Sequence, residues 1–340
     1  MASVPVLVVF TIVGAVLAWK GGDYLVQASD RLGAYYGLPA IVQGAVIAAV
    51  GSSFPELSSI IIATVRYGAF DIGVGAVVGS AVYNILVIPA VSALAGEGQR
   101  LASSRDLVYK EAQFYLLALA VLVLTFSLAV IYQPSGSPAD LEGFVTRSLA
   151  LIPLSLYGLY LFMQYHDTLD HRATVPVVAS DIDPRRQWVT LVVSLGIILA
   201  GAELLVRAAV GFGDVFGTSP FLWGLTVVAA GTSLPDTFVS VTAARQGNAP
   251  MSLANVFGSN VFALLVALPV GILVAGGTIV AFQEVVPMMS FLTGASIVFF
   301  AVLRTEMALT RGESFVLLGT YGLFILWLIA ESLGVTSFVG

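Results

Sequence analysis

Two acidic side chains stand where acids are costly. Glu56 closes the stretch Gly51-Ser52-Ser53-Phe54-Pro55-Glu56, Asp236 closes Gly231-Thr232-Ser233-Leu234-Pro235-Asp236, and each stretch interrupts a long apolar run. A proline has no amide donor and clashes with the preceding turn, so Pro55 and Pro235 should each break or kink a helix. A break frees backbone carbonyls beside the hydroxyls of Ser52, Ser53, Thr232 and Ser233 and the two carboxylates. Together they concentrate hard oxygen, the donor type that calcium, sodium and other hard cations select. An acid at a helix end could instead cap it or snorkel toward headgroups. Against that reading, each acid follows a long apolar stretch, and burying one in a bilayer costs about 2.5–3.5 kcal/mol on insertion scales. Two acids at equivalent places point to one shared site.

The elements that must position them are membrane helices. Of 340 residues, 58% are hydrophobic and only 10% charged, with a mean hydropathy of +0.98; soluble proteins carry about 25% charged residues. Several charge-free stretches reach or approach the roughly 20 residues that a helix needs to cross a bilayer. The sequence predicts an all-α membrane protein of ten spans, at approximately 4–22, 38–65, 71–96, 108–131, 146–165, 187–210, 219–245, 251–276, 284–304 and 313–333. Residues 1–19 lack the basic segment of a signal peptide and read as the first span. With no cysteine, neither disulfides nor thiolate metal sites are available. Counted on alternate sides of ten spans, 11 of the 14 Lys and Arg fall on one side and Arg66, Arg147 and Arg207 on the other. Basic loops face the cytoplasm, which predicts a multi-pass cell-membrane protein with both termini outside and the 166–186 segment inside.

The two acidic stretches also align beyond themselves. At a constant offset of 180, Gly21 pairs with Gly201, Asp23 with Glu203, Leu25-Val26 with Leu205-Val206, Gly37 with Gly217 and Gly44 with Gly224. With one residue deleted, Val78-Gly79-Ser80 pairs with Phe257-Gly258-Ser259. The chain therefore divides into a first five-helix repeat (1–165), a polar linker (166–186) and a second repeat (187–340). Five is odd, so the second copy enters the membrane from the opposite side, the inverted arrangement of many secondary transporters, whose sites lie on interrupted helices at the midplane. Breaks are expected in the second and seventh spans and in the third and eighth. The linker, with His166, Asp167, Asp170, His171 and Arg172, reads as a solvated loop; a metal or regulatory site at His166 and His171 is the other reading. Gly-Ser pairs in membrane helices are commonly close-packing points. Their recurrence at matched positions makes Ser80, Ser259 and Asn84 secondary ligand candidates, while Asn255 and Asn260 could be ligands or interhelical hydrogen-bonding groups.

These motifs resemble those of the calcium/cation antiporter superfamily, in particular the sodium/calcium exchangers, whose two alpha-repeats carry G-T-S-x-P-[ED] and G-S-N elements. The resemblance covers both repeats and the ten-span layout. It implies that Glu56 and Asp236 are central carboxylates for calcium and sodium, with Ser53, Ser233, Ser80 and Ser259 as flanking hydroxyls. Ser52 and Thr232 would lie beside them, and Ala49 and Ala229 would supply carbonyls. The chain departs from the family pattern at Ser52, in place of threonine, at Ala76 and Ala81, in place of asparagines, and at Ala263, where Asp or Asn is common. The resemblance further implies that the first and sixth spans slide against the core, with Gly14, Gly21, Gly22, Gly196 and Gly201 permitting close contact or simply packing.

Charge explains why such a site would exchange ions rather than leak them. Two unpaired carboxylates are too costly to carry through an occluded, low-dielectric state, whereas bound calcium, sodium or protons offset them. The expected function is calcium-for-sodium antiport by alternating access; the alternative is a proton-driven exchanger of calcium or another divalent cation. A channel fits less well, since conduction needs weak or multiple sites. Gly211-Phe212-Gly213-Asp214 matches the G-x-G-D string of intramembrane aspartyl proteases, but the Tyr-Asp partner motif occurs nowhere in the chain. The expected partners are calcium and sodium ions, as substrates rather than cofactors, and the lipid bilayer. Neither an enzymatic cofactor nor nucleic acid is expected, and the working unit is expected to be a monomer.

Overall fold

The computed structural model describes residues 3–36, 49–103, 107–136, 141–170, 182–333 and 335. Of the sequence expectations, Gly37, Gly44, His171 and most of the linker lie outside these residues, as does the side chain of His166. The helices are α1 (Val4–Tyr35), α2 (Ala49–Ser52), α3 (Phe54–Tyr67), α4 (Phe70–Ala95), α5 (Ala112–Tyr132), α6 (Arg147–Asp170) and α7 (Pro184–Phe216). There follow α8 (Pro220–Trp223), α9 (Ala229–Thr232), α10 (Leu234–Arg245), α11 (Ala249–Phe262), α12 (Leu268–Ala275), α13 (Phe282–Thr305) and α14 (Arg311–Ser332). Among the described residues, eight helices are long and apolar enough to cross a membrane, and Pro220–Thr232 forms a shorter apolar one.

The chain is interrupted at the two motifs. Ser53 (φ −95°, ψ 7°) separates α2 from α3, and Ser233 (φ −80°, ψ 0°) separates α9 from α10. Pro55 and Pro235 fall in the first turn of the new helix, where the missing amide is tolerated. The third span is different: α4 runs 26 residues without a break, correcting the expectation of an interruption there. Its glycines serve close approach instead. A Cβ at Gly79 would lie 2.3 Å from the Leu225 carbonyl oxygen and one at Gly75 2.4 Å from that of Phe221, so α4 crosses the 220–229 segment backbone to backbone. In the eighth segment a π-helical turn, Ala263–Ala267, links α11 to α12 just before Pro269. The wider turn accommodates a proline that cannot bond backward.

α4 and α11 are enclosed by the other helices, and an apolar cluster including Val78, Ile85, Leu86, Phe257 and Leu264 fills the space around them. Two short antiparallel strand pairs lie outside the helices: β1 (Leu101–Ala102) with β4 (Ala308–Leu309), and β2 (Glu142–Val145) with β3 (Thr278–Ala281). They precede and follow α5, so they sit at its opposite ends.

α1 and α7 are longer than the charge-free windows suggest, because Lys20, Asp23, Arg31, Glu203 and Arg207 are carried within the helices rather than ending them. Their contacts run Leu7 to Gly211, Gly14 to Gly201 and Gly21 to Ile198, an antiparallel pairing along most of their length. Gly14, Gly21 and Gly201 therefore hold these helices to each other. Of the expected sliding glycines, Gly22 faces the core, where a Cβ would lie 2.9 Å from the Pro235 ring, and a Cβ at Gly196 would meet open space.

Candidate cation site

Glu56 and Asp236 each occupy the first turn of a helix that begins at a motif serine. There the orphan amides and the helix dipole favour negative charge. Leu57 N–H donates to the Ser53 carbonyl (3.3 Å) and Thr237 N–H to that of Ser233 (3.1 Å), so the two half-helices start alike. Both acids are at most 1% exposed.

α4 brings them to one place. Ser80 Oγ donates to Glu56 Oε1 at 3.1 Å, and Asn84 Nδ2 lies 3.4 Å from Asp236 Oδ2. Residues four apart share a helix face with Cβ atoms about 5–6 Å apart, so the carboxylates converge on a single turn of α4. α11 mirrors it from the other side: Ser259 Oγ donates to Asp236 Oδ1 at 2.7 Å and lies 3.4 Å from Ser52 Oγ. Ser233 Oγ is 2.7 Å from Ser80 Oγ and 3.5 Å from Glu56 Oε1, crossing between repeats. Thr232 and Ser52 complete the exchange, facing Glu56 and Asp236 respectively. Asn255 Nδ2 donates to the Asp236 carbonyl (3.3 Å) and to Ser240 Oγ (3.1 Å), while its Oδ1 lies 3.4 Å from Ser52 Oγ.

Three buried oxygens in this cluster have no hydrogen-bond partner: Ser53 Oγ, Glu56 Oε2 and Asn84 Oδ1. Buried polar atoms are normally satisfied, and three unpaired oxygens, one of them on Glu56, gathered around two carboxylates are a donor set suited to a hard cation.

Ser52, Ser53, Glu56, Ser80, Asn84, Thr232, Ser233, Asp236 and Ser259 are therefore assembled in one buried cluster. Ala49 opens α2. The carbonyl expected of Ala229 is not bare. It accepts the Ser233 N–H (3.1 Å) and the Thr232 hydroxyl (3.3 Å), because helix α9 continues through its turn. Pro55 and Pro235 instead withhold a donor from the carbonyls of Gly51 and Gly231, one turn back.

Those two glycines have a second role that the sequence reading missed. A Cβ at Gly51 would meet Val26 at 3.2 Å and one at Gly231 would meet Leu205 at 2.7 Å, so each motif's first residue is a seat for α1 or α7. The repeat pairing of Leu25-Val26 with Leu205-Val206 was the signal that could have found them. Around the seats the boundary is unequal. Glu203 on α7 accepts from Tyr67 Oη (2.7 Å) and pairs with Arg66 Nη1 (2.9 Å) at the end of α3. Its repeat counterpart Asp23 has no ion-pair partner among the described residues and lines a cavity of about 280 Å³ with Trp19, Gly22, Pro235, Phe238 and Thr242. Asp214, the acid of the protease-like string, is in α7 and exposed, unlike this buried cluster.

Comparison with known proteins gives concordant results. The family model for sodium/calcium exchanger protein matches residues 6–166 and 186–330. The chain is 30% identical over 278 residues to the putative antiporter CaxA of Alkalimonas amylolytica, covering 81% of this chain and 82% of that one. It is 27% identical over 276 residues to the sodium/calcium exchanger MaX1 of Methanosarcina acetivorans, covering 74% and 78%. A solved structure of the sodium-calcium exchanger NCX_Mj, soaked with 100 mM Na⁺ and 10 mM Sr²⁺, superposes with a TM-score of 0.63 at 25% identity, covering 95% of this chain and 99% of that one.

Proposed function

The chain belongs to the sodium/calcium exchanger protein family, and from that premise we propose that it is a secondary active antiporter that exchanges calcium for sodium by alternating access. The observation that carries this reading is the convergence of Glu56 and Asp236, from matched half-helices, onto one turn of α4 amid unpaired oxygens. The ligand set proposed is Glu56, Asp236, Ser53, Ser233, Ser52, Thr232, Ser80, Ser259 and Asn84, with the carbonyls of Ala49 and Ala229 at its margin. Two carboxylates neutralise one divalent ion or, with the hydroxyls, several monovalent ones. With neither bound, two buried anions oppose closure of the site, which couples the two fluxes.

The layout proposed is two inverted five-helix repeats of ten spans, divided at 165 and 187, in the cell membrane as a monomer. Both termini lie outside and the linker faces the cytoplasm. The helices interrupted at Ser53 and Ser233 are the broken spans that hold the ions, and α1 with α7 is the unit that moves against them.

A second reading is favoured by one observation. Ala263 stands at the repeat position of Asn84, and Glu56 Oε2 has no hydrogen-bond partner, so the second repeat offers no side-chain oxygen equivalent to that of Asn84 for sharing sodium. A proton is the alternative driving ion. Calcium-45 uptake into proteoliposomes, under an outward sodium gradient or an outward proton gradient, separates the two. Uptake driven only by protons would replace sodium in this scheme; uptake with neither gradient, dissipating calcium alone, would replace antiport with a channel.

A further inference from the structure

The amides of Asn84 and Asn260 meet in the centre of the core, and their orientation is set from outside the pair. Asn260 Nδ2 is 3.3 Å from the Ala81 carbonyl oxygen and 3.5 Å from Tyr115 Oη. A backbone carbonyl only accepts, so the Asn260 nitrogen belongs on that side and its oxygen on the other. That oxygen accepts from Asn84 Nδ2 at 3.0 Å. Asp236 Oδ2, 3.4 Å from the same nitrogen, imposes the same orientation independently, since an ionised carboxylate also only accepts. What remains is Asn84 Oδ1, buried and without a donor.

The repeat gives a second line of support. At the 179-residue offset of Ser80 and Ser259, Asn84 corresponds to Ala263 and Asn260 to Ala81. The repeat counterparts of the Asn84–Asn260 pair are thus Ala263 and Ala81, where both amides are missing. A lone asparagine at either place would bury an amide with unmet hydrogen bonds, and the pair is present whole in one half and absent whole in the other. The carboxylates follow suit: both oxygens of Asp236 are bonded, and Glu56 Oε2 is bare.

We infer that Asn260 is a positioning residue of the cation site: it holds the Asn84 amide so that the Asn84 oxygen is presented to the ion, with Tyr115 bracing it from behind. The inference rests on the reading of Glu56, Asp236 and Asn84 as ion ligands. The test is a double-mutant cycle on calcium-45 uptake into proteoliposomes, with KM and maximal rate measured for wild type, Asn84→Ala, Asn260→Ala and the double variant. Asn260→Ala should raise the calcium KM roughly tenfold, as expected for losing the orientation of one charge-facing hydrogen-bonded group, with the maximal rate within about twofold. In the Asn84→Ala background it should add nothing, because its effect passes through Asn84. Additive effects, or an unchanged KM in Asn260→Ala, would overturn the inference. Should Asn260→Ala fail to fold, Tyr115→Phe carries the test: KM should rise about threefold in wild type and stay unchanged beside Asn84→Ala, and the lack of that difference would overturn the inference equally. A Glu56→Gln control keeps the two readings apart. Wild-type-like flux in that variant defeats the site itself; an inert Glu56→Gln with an additive cycle defeats only the role of Asn260.

Discussion

In the central helices, 89% of the most apolar window of Phe70–Ala95 and 83% of that of Ala249–Ala275 is buried, whereas for Val4–Gly33 and Pro184–Phe216 the figures are 22% and 33%. All four are apolar along most of their length, so hydropathy does not separate them. Contacts do. α4 is pressed against the 220–229 backbone at glycines, with side chains on every side, while α1 and α7 touch each other intimately and meet the core along one face only, at the seats of Gly22, Gly51 and Gly231, through Leu205 and Val206 against Ala63, Ile72 and Ala76, and through the stacked rings Trp19–Phe238 and Phe212–Trp223. A close-packed region has few alternative arrangements. An outer pair that lies on the core along one face has fewer contacts to exchange in a shift than a helix enclosed on every side, which suits the alternating access proposed above.

The comparison breaks first at the acids. Glu56→Gln or Asp236→Asn should reduce sodium-driven calcium uptake to the level of empty vesicles, because each leaves one carboxylate to hold a divalent ion. Wild-type-like uptake in either variant removes the proposed site. Next comes packing: Gly79→Ala places a methyl group against the Leu225 carbonyl, and overpacking of this kind costs about 1–3 kcal/mol. Its thermal unfolding midpoint in detergent should fall clearly, and an unchanged midpoint would show that α4 is not the rigid member. Gly22→Val, at the boundary with Pro235, should instead lower the maximal flux several-fold while leaving the calcium KM and the midpoint nearly intact, the kinetic signature of an impeded step rather than lost binding. The smallest effect is expected at Glu203→Gln. Arg66 is largely exposed, so its ion pair is worth about 0–1 kcal/mol. Maximal flux should change by no more than about fivefold, with the KM unmoved; a larger loss would mean that the outer pair is fastened there rather than rested.

Much of the site was legible because charge and proline are conspicuous in an apolar chain. Glu56 and Asp236 could be singled out, and their repeat offset predicted that they share a site, since an acid in lipid demands a reason. The third span was misjudged for a related cause. The repeat carried the expectation of a break from the second span to the third, whereas Gly79 serves close contact with the Leu225 carbonyl and α4 stays continuous. Asn260 was left between ligand and packing group because an amide's role depends on which way it is turned, and that is fixed here by the Ala81 carbonyl and by Tyr115, 145 residues away in sequence from Asn260. The lengths of α1 and α7 escaped a window of uncharged residues because a helix does not end where the charges begin. The start of α7 is set instead by a side-chain cap, the Asp183 carboxylate accepting from the Arg185 and Arg186 amides.

The strand pairs constrain how the molecule is able to move. Each joins the first half of the chain to the second, and they lie at opposite ends of α5. Stitched at both faces, the halves cannot tilt apart like the covers of a book without tearing a seam of backbone hydrogen bonds. That restriction fits the proposal that the two unstitched long helices are the moving unit, and cutting the chain between 170 and 182 should still yield fragments that find each other along those seams.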